Sequence, residues 1–294
     1  MTTRFVAEVC SNHHSDLDRC LEFIDTAGDM GCDAVKFQQF RIAELFAPEA
    51  LRDPMIAARE AWELPESFNA ELAAGCREQG LEFSNTPFYM DAVGVLEPHV
   101  DFFKLASYQV LWTDMLREVA QTGKPVVLAT GMATLDEVRT AVETLRAAEC
   151  GELTLLHCVS LYPTRPDQAN LAVIDTLRRE FGCDVGWSDH TATGDVVRRA
   201  VRRWQASMVE FHMDLDGEGE EYGGGHCWLP EEMREVIDDV RAEPTPASGV
   251  HVCDGTGEKL LTDEEREESR WRTDPSDGLR PMQYARSSEQ EAAA

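Results

Sequence analysis

Hydrophobic positions along the chain follow two alternating rhythms: short unbroken apolar runs, and longer stretches in which apolar residues recur every three or four positions. The runs read as strands buried on both faces, the spaced stretches as amphipathic helices. Strands are expected at Phe5–Cys10, Ala34–Gln38, Leu81–Thr86, Phe102–Ala106, Pro125–Thr130, Leu153–Val159, Asp184–His190 and Ser207–His212. Between them, Leu17, Cys20, Leu21, Ile24 and Ala27 share one helical face, and Val196, Val197, Ala200, Val201 and Trp204 another. Thr134-Leu-Asp-Glu137 has capping-box spacing ahead of a further helix. Others are expected after Pro65 and over Tyr89–Leu96, Asp114–Gln121, Leu171–Phe181 and Pro230–Ala242. Eight such units in about 240 residues predict an α/β fold, a (β/α)8 TIM barrel, rather than an open sheet. The barrel is assigned to residues 1–243. Residues 244–294 read as a polar C-terminal extension: Lys259–Arg272 suits a charged helix, and Thr273–Ala294, with little to bury, is expected to be mobile or an interaction tail.

Charge narrows the partners. Among 294 residues, 27 basic against 55 acidic side chains give a net charge of −28 and a pI near 4.5. Such a surface repels nucleic acid and anionic membranes, and no apolar run approaches the roughly 20 residues of a membrane helix. The N-terminus runs straight into a strand pattern, so a cytoplasmic protein is expected, one suited to a salt-rich interior. The 9 Cys are scattered singly with no C-x-x-C, which favours reduced, buried thiols.

In this fold, polar residues at the C-terminal ends of strands build the active site. Here Glu8, Lys36, Gln38, Thr86, Lys104, Ser107, Thr130, Ser160, Tyr162, Ser188, His190, Glu210 and His212 all fall at or just beyond strand ends. His190 and His212 close the seventh and eighth strands and should emerge side by side, a natural pair of ligands for a divalent metal unless they are satisfied core histidines. Only four lysines exist, and Lys36 and Lys104 lie inside apolar strands, Val35-Lys-Phe and Phe103-Lys-Leu. A buried ammonium needs a partner: either an anionic ligand or an internal salt bridge such as Lys36 with Glu8.

These residues sit in stretches that resemble the sialic acid synthase family in order along the chain. They include Ala7-Glu-Val-Cys-Ser-Asn-His13, Asp33-Ala-Val-Lys-Phe-Gln38, Asn85-Thr-Pro-Phe88, Phe103-Lys-Leu-Ala-Ser107, Tyr162-Pro-Thr164 and Trp187-Ser-Asp-His-Thr191, over roughly Phe5 to Val240. The resemblance implies a condensation of phosphoenolpyruvate with N-acetylmannosamine or a related aldose to a nine-carbon 2-keto acid, in a homodimer. It implies that Lys36, Thr86, Lys104, Ser107, Tyr162 and Ser188 contact phosphoenolpyruvate, that His190 and His212 bind manganese (Mn2+, with Mg2+ or another divalent ion as alternatives), that Gln38 contacts the sugar and that Glu8 is catalytic. The metal would polarise the aldehyde while the enol carbon attacks it, Glu8 would activate the water that follows, and the two lysines would hold the enol and its phosphate. Replacing Lys104 by Met should then abolish phosphate release and leave the fold intact.

The chain departs from the family's pattern at Ser107-Tyr-Gln109, Ser160, Glu210-Phe-His212 and Gly225-His226, the last in a longer glycine-rich loop, Asp216–Gly225. Most of these positions, Gln109, Ser160 and His226 among them, are expected to face the sugar. Family members typically add a C-terminal antifreeze-like domain that lends an arginine to the partner's sugar site, for which this chain has no room. A separate antifreeze-like protein, a different aldehyde, or the loop His226-Cys-Trp-Leu-Pro230 with Trp228 as a lid are the expected substitutes. Two other readings stand beside this one: another barrel lyase or aldolase acting on a keto acid or phosphorylated substrate through a strand lysine, and a non-catalytic phosphoenolpyruvate-binding regulatory subunit.

Overall fold

The computed structural model describes residues 3–242, 249 and 251–286. Eight parallel strands close into a barrel in sequence order: β1 (Arg4–Glu8), β2 (Ala34–Gln39), β3 (Glu82–Pro87), β4 (Phe102–Leu105), β5 (Val126–Ala129), β6 (Leu153–His157), β7 (Asp184–Asp189) and β8 (Met208–His212). The ring is sealed by β1 against β8, where Val6 pairs with Glu210 and Glu8 with His212. Helices between the strands carry the expected faces; Leu17–Met30, for example, is capped by the Asp16 side chain and buries Cys20, Phe23, Ile24 and Ala27. The helix expected after Pro65 begins at Asn69, preceded by a single 3-10 turn over Glu66–Phe68. No helix among the described residues is long and apolar enough to cross a membrane, and all nine cysteines are free thiols.

A strand's period of two sorts its residues into two cores. Phe5, Ala7, Val35, Phe37, Phe103, Leu105, Val209 and Phe211 face outward and pack under the helices. Val6, Ala34, Phe102, Val127, Leu156 and Met208 face inward and plug the barrel. Two residues further along the same strands, on the same inward face, come Glu8, Lys36, Lys104 and Glu210. The charged layer therefore lies directly on the apolar plug. Room inside is scarce: a Cβ at Gly186 would come within 2.3 Å of the Met208 carbonyl oxygen.

The C-terminal stretch differs from expectation. Asp263–Glu268 is helical, as its composition suggests, but the described residues beyond it are docked on the barrel. Thr273, Arg280 and Ala285 are buried. The Thr273 backbone N–H donates to the Tyr108 carbonyl at 2.8 Å, and Arg280 exchanges backbone bonds with Leu45 and Ala47 at 2.9 and 2.8 Å. Glu265 is buried and accepts from the backbone N–H groups of Met132 and Ser160, each at 3.1 Å. The physical reason is that the loops after β4, β5 and β6 leave backbone donors and acceptors that this polar segment satisfies. The rest of the predicted extension, 244–248, 250 and 287–294, lies outside the described residues, as does residue 243 at the end of the predicted barrel.

Candidate active site

The charged layer and the loops above it enclose a cavity of about 360 Å³ at the C-terminal end of the barrel. Register brings its parts together: Glu8 stands beside Lys36 across β1 and β2, and beside His212 across β1 and β8. Ser188 stands beside Glu210 across β7 and β8. Glu8, Lys36, Gln38, Lys104 and Ser107 line the cavity on one side, and Tyr162, Ser188, His190, His212 and His226 complete it.

Both lysines have protein partners, so the internal salt bridges named as an alternative are what the structure contains. The Lys36 ammonium pairs with the Glu8 carboxylate and donates to the Thr86 hydroxyl at 3.3 Å. Lys104 lies 2.9 Å from Glu210, which also accepts from the Ser188 hydroxyl at 3.2 Å. Burial, with Lys104 nearby, holds the Lys36 pKa well below that of a free lysine. Burial alone would raise Glu210, but the two ammonium groups outweigh it and hold its pKa at about 2. Burial by itself thus no longer demands an external anion. Each ammonium is nevertheless at the cavity surface with donor capacity beyond one carboxylate.

Four expected site residues do not line the cavity; one of them, Thr130, is buried with its hydroxyl donating to the Leu156 carbonyl at 3.0 Å. Thr86 sits behind Lys36 as its acceptor. Gln109 is fully buried and locks the β4 loop, its side-chain amide donating to the Pro87 carbonyl at 2.6 Å and accepting from the Ala106 N–H at 2.9 Å. The Ser160 hydroxyl is buried against Gly131, whose added Cβ would lie 2.1 Å from it. Trp228 is no lid: it is buried, and its indole N–H donates at 3.0 Å to Asp189, the residue before His190.

The histidines converge beside Tyr162. His190 and His212 rings are 5.3 Å apart, His212 and His226 4.8 Å, and Tyr162 lies 4.2 Å from His190. The His190 Nδ1 meets the Val159 carbonyl at 2.7 Å; a carbonyl only accepts, so Nδ1 carries the hydrogen and Nε2 keeps its lone pair. Burial, then His212, lowers the His190 pKa far enough to keep the ring neutral. Glu221, from the loop after β8, reaches back to His212 Nδ1 at 3.3 Å and His226 Nε2 at 3.4 Å. Its pKa is lowered despite burial because both imidazoles face it. Donor atoms of His212, Glu221, His226 and Cys227 lie within 4.8 Å of one another, and the buried Nδ1 of His226 has no partner. Such a set of nitrogen, oxygen and sulfur donors, partly unsatisfied, fits a divalent cation; of the expected pair it contains His212 but not His190, whose ring lies 5.3 Å from that of His212.

Glu221, Cys10 and Arg280 also line the cavity and were not anticipated. Glu221 belongs to the run Glu218-Gly-Glu-Glu221, which reads as solvated loop, and Cys10 to a scattered set of thiols. His226 was expected to touch the sugar; it lines the cavity and also stands in the cluster with His212, Glu221 and Cys227.

A profile of the NeuB family matches residues 23–249. The chain is 34% identical to an uncharacterized protein of Methanocaldococcus jannaschii over 270 residues, 90% of this chain and 76% of that one. It is 31% identical to the N,N'-diacetyllegionaminic acid synthase of Campylobacter jejuni over 228 residues, 73% of this chain and 68% of that enzyme. Among solved structures, the spore coat polysaccharide biosynthesis protein E of Bacillus subtilis superposes with a TM-score of 0.80 at 27% identity, covering 92% of this chain and 77% of that one.

Proposed function

The chain belongs to the NeuB family, and on that premise we propose that it condenses phosphoenolpyruvate with an aldose of the N-acetylmannosamine kind, giving a sialic-acid-type 2-keto sugar acid and phosphate. The observation that carries this reading is the placement of two buried ammonium groups, Lys36 and Lys104, in one cavity with three converging histidines. Relatives named as sialic, pseudaminic and legionaminic acid synthases support it.

Lys104 and Lys36 take the carboxylate and phosphate of the enol ester, each sharing its donors between substrate and its resident glutamate, which fixes the enol carbon against the aldehyde. Ser107 adds a hydroxyl at the same wall, and Ser188 adds a second by turning its single O–H from Glu210 to the substrate. Glu8 accepts from the Cys10 backbone N–H at 2.9 Å and from Gln38 at 3.2 Å, so its carboxylate is oriented into the cavity. It is the group that takes the proton of the water adding to the former enol carbon, after which phosphate leaves by C–O cleavage. His190 and His212, with Glu221 and His226, would hold a divalent metal, which would supply Lewis-acid polarisation of the aldehyde when bound. Gln38 meets the sugar.

The test is phosphate release from phosphoenolpyruvate with manganese and a panel of amino-hexoses and pentoses, with and without chelator. Aldose-dependent, chelator-sensitive release is expected. A borohydride-trapped adduct with pyruvate would replace this reading by a Schiff-base aldolase, and release that needs no aldose would reduce it to hydrolysis of the enol ester. Glu221→Gln is expected to weaken manganese binding roughly 10- to 100-fold, measured by direct titration of the metal.

A further inference from the structure

Arg280 comes from the C-terminal segment, outside the matched residues 23–249, yet it lines the catalytic cavity. Only 8% of it is exposed. Its backbone is fixed by the bonds to Leu45 and Ala47, and its guanidinium lies 4.2 Å from the Tyr108 ring centre and 5.0 Å from that of Phe88. Those faces hold the plane of the group but take none of its N–H bonds. The polar contacts are poor: Nε reaches the Thr273 hydroxyl at 3.4 Å, and the buried Nη2 has no partner. Among the described residues no carboxylate lies within ion-pairing distance of it, whereas every other buried cation in this cavity has one. Arg59, which also lines the mouth, adds a second positive charge on the same side. A guanidinium cannot shed its proton to escape this burial, and its planar fork matches two oxygens of one oxyanion.

We propose that Arg280 is a substrate-anchoring residue that binds an oxyanion, the phosphate or carboxylate of a substrate, in the wall of this cavity. The C-terminal segment is then a working part of the site, delivering the one buried cation of this cavity, among the described residues, that has no carboxylate at ion-pairing distance; Glu268 acts on it only from further away. The proposal rests on the reading that this cavity takes substrate. Its chemistry fits either source of the oxyanion: the enol ester, or an acceptor aldose that is itself phosphorylated or carboxylated.

The experiment uses the full chain and the variant Arg280→Met, checked for folding by melting temperature, in two arms. Phosphoenolpyruvate binding is measured by calorimetry, and KM is measured for phosphorylated and unphosphorylated aldoses. A tenfold or greater loss of phosphoenolpyruvate affinity assigns the oxyanion to the enol ester. Unchanged phosphoenolpyruvate binding, with a tenfold higher KM for the phosphorylated aldose alone, assigns it to the acceptor. A folded variant that changes neither overturns the proposal. If the methionine variant does not fold, Arg280→Lys is read in its place: a point charge for a fork should weaken the same arm at least threefold, and undiminished binding and KM overturn the proposal. Binding needs no turnover, so Arg280-dependent affinity in a chain that forms no sugar acid would sink the reaction proposed above and leave this inference. Normal turnover untouched by the substitution would do the reverse.

Discussion

The ion pairs in the barrel mouth and the one that ties the C-terminal segment to the barrel flank use similar charges in opposite ways. At the flank, Arg199 grips Asp254 through Nε at 2.9 Å and Nη2 at 2.7 Å. The same carboxylate accepts from the Trp204 indole at 2.8 Å and the His251 backbone at 2.9 Å, so both oxygens are saturated. In the mouth, Lys104 meets a single carboxylate oxygen of Glu210, and Lys36 a carboxylate and a hydroxyl. A saturated bidentate clamp has nothing left to offer a ligand; a point charge with donors to spare can share itself with one. Burial of a charge thus says little about function until its remaining bonding capacity is counted.

The sharpest test of that contrast is to remove one partner from each pair. Lys104→Met is expected to lower phosphate release at least about 10³-fold, the scale of losing a principal electrostatic contact. It is also expected to destabilise the fold by about 3 kcal/mol, because buried Glu210 loses its ion-pair partner and keeps only the more distant Lys36, contrary to the sequence-based expectation of an intact fold. The double variant with Glu210→Gln should recover most of the stability and none of the turnover; recovery of turnover would show the pair to be structural. Next in size, Arg199→Met should cost about 3 kcal/mol in denaturant unfolding through the stranded Asp254, with kcat little changed. A kcat loss as large as that of the Lys104 variant would erase the distinction between clamp and site.

The smallest effect is in acid. Glu210 titrates at about 2 in the folded protein against 4.5 when free, and Asp254 at about 2 against 3.8; burial opposes both shifts, and the cations overcome it. Over that window the unfolded chain binds the proton and the folded chain does not, so stability rises with pH there and is lost as pH falls toward 2. Glu210→Gln and Asp254→Asn should each flatten the acid limb of the stability curve, measured by thermal melts from pH 5 to 2. A steeper limb in either would contradict the assigned direction.

Much of the site was legible because a parallel barrel turns strand endings into neighbours. Once eight strands are recognised, Glu8, Lys36, Lys104, His190 and His212 must share a rim, and their spacing of two from the plug residues Val6, Ala34 and Phe102 sets which of them point inward. Side-chain partnerships between strands far apart in the chain carry no such periodic mark. Nothing in the alternation distinguishes Gln109, which locks a loop, from Gln38, which lines the cavity, or separates Ser160 from Ser188. Glu221 and Arg280 were hidden for a different reason: each lies in a polar stretch of the kind that usually stays in water.

What the sequence determined by itself was the architecture and the inventory of strand-end chemistry, since both follow from local rhythm. What the tertiary structure alone decided was who neutralises whom. Charge pairing depends on distances of a few ångströms between segments as remote as β4 and β8, or Arg199 and Asp254, and those distances exist only after the ring has closed and the C-terminal segment has docked on it.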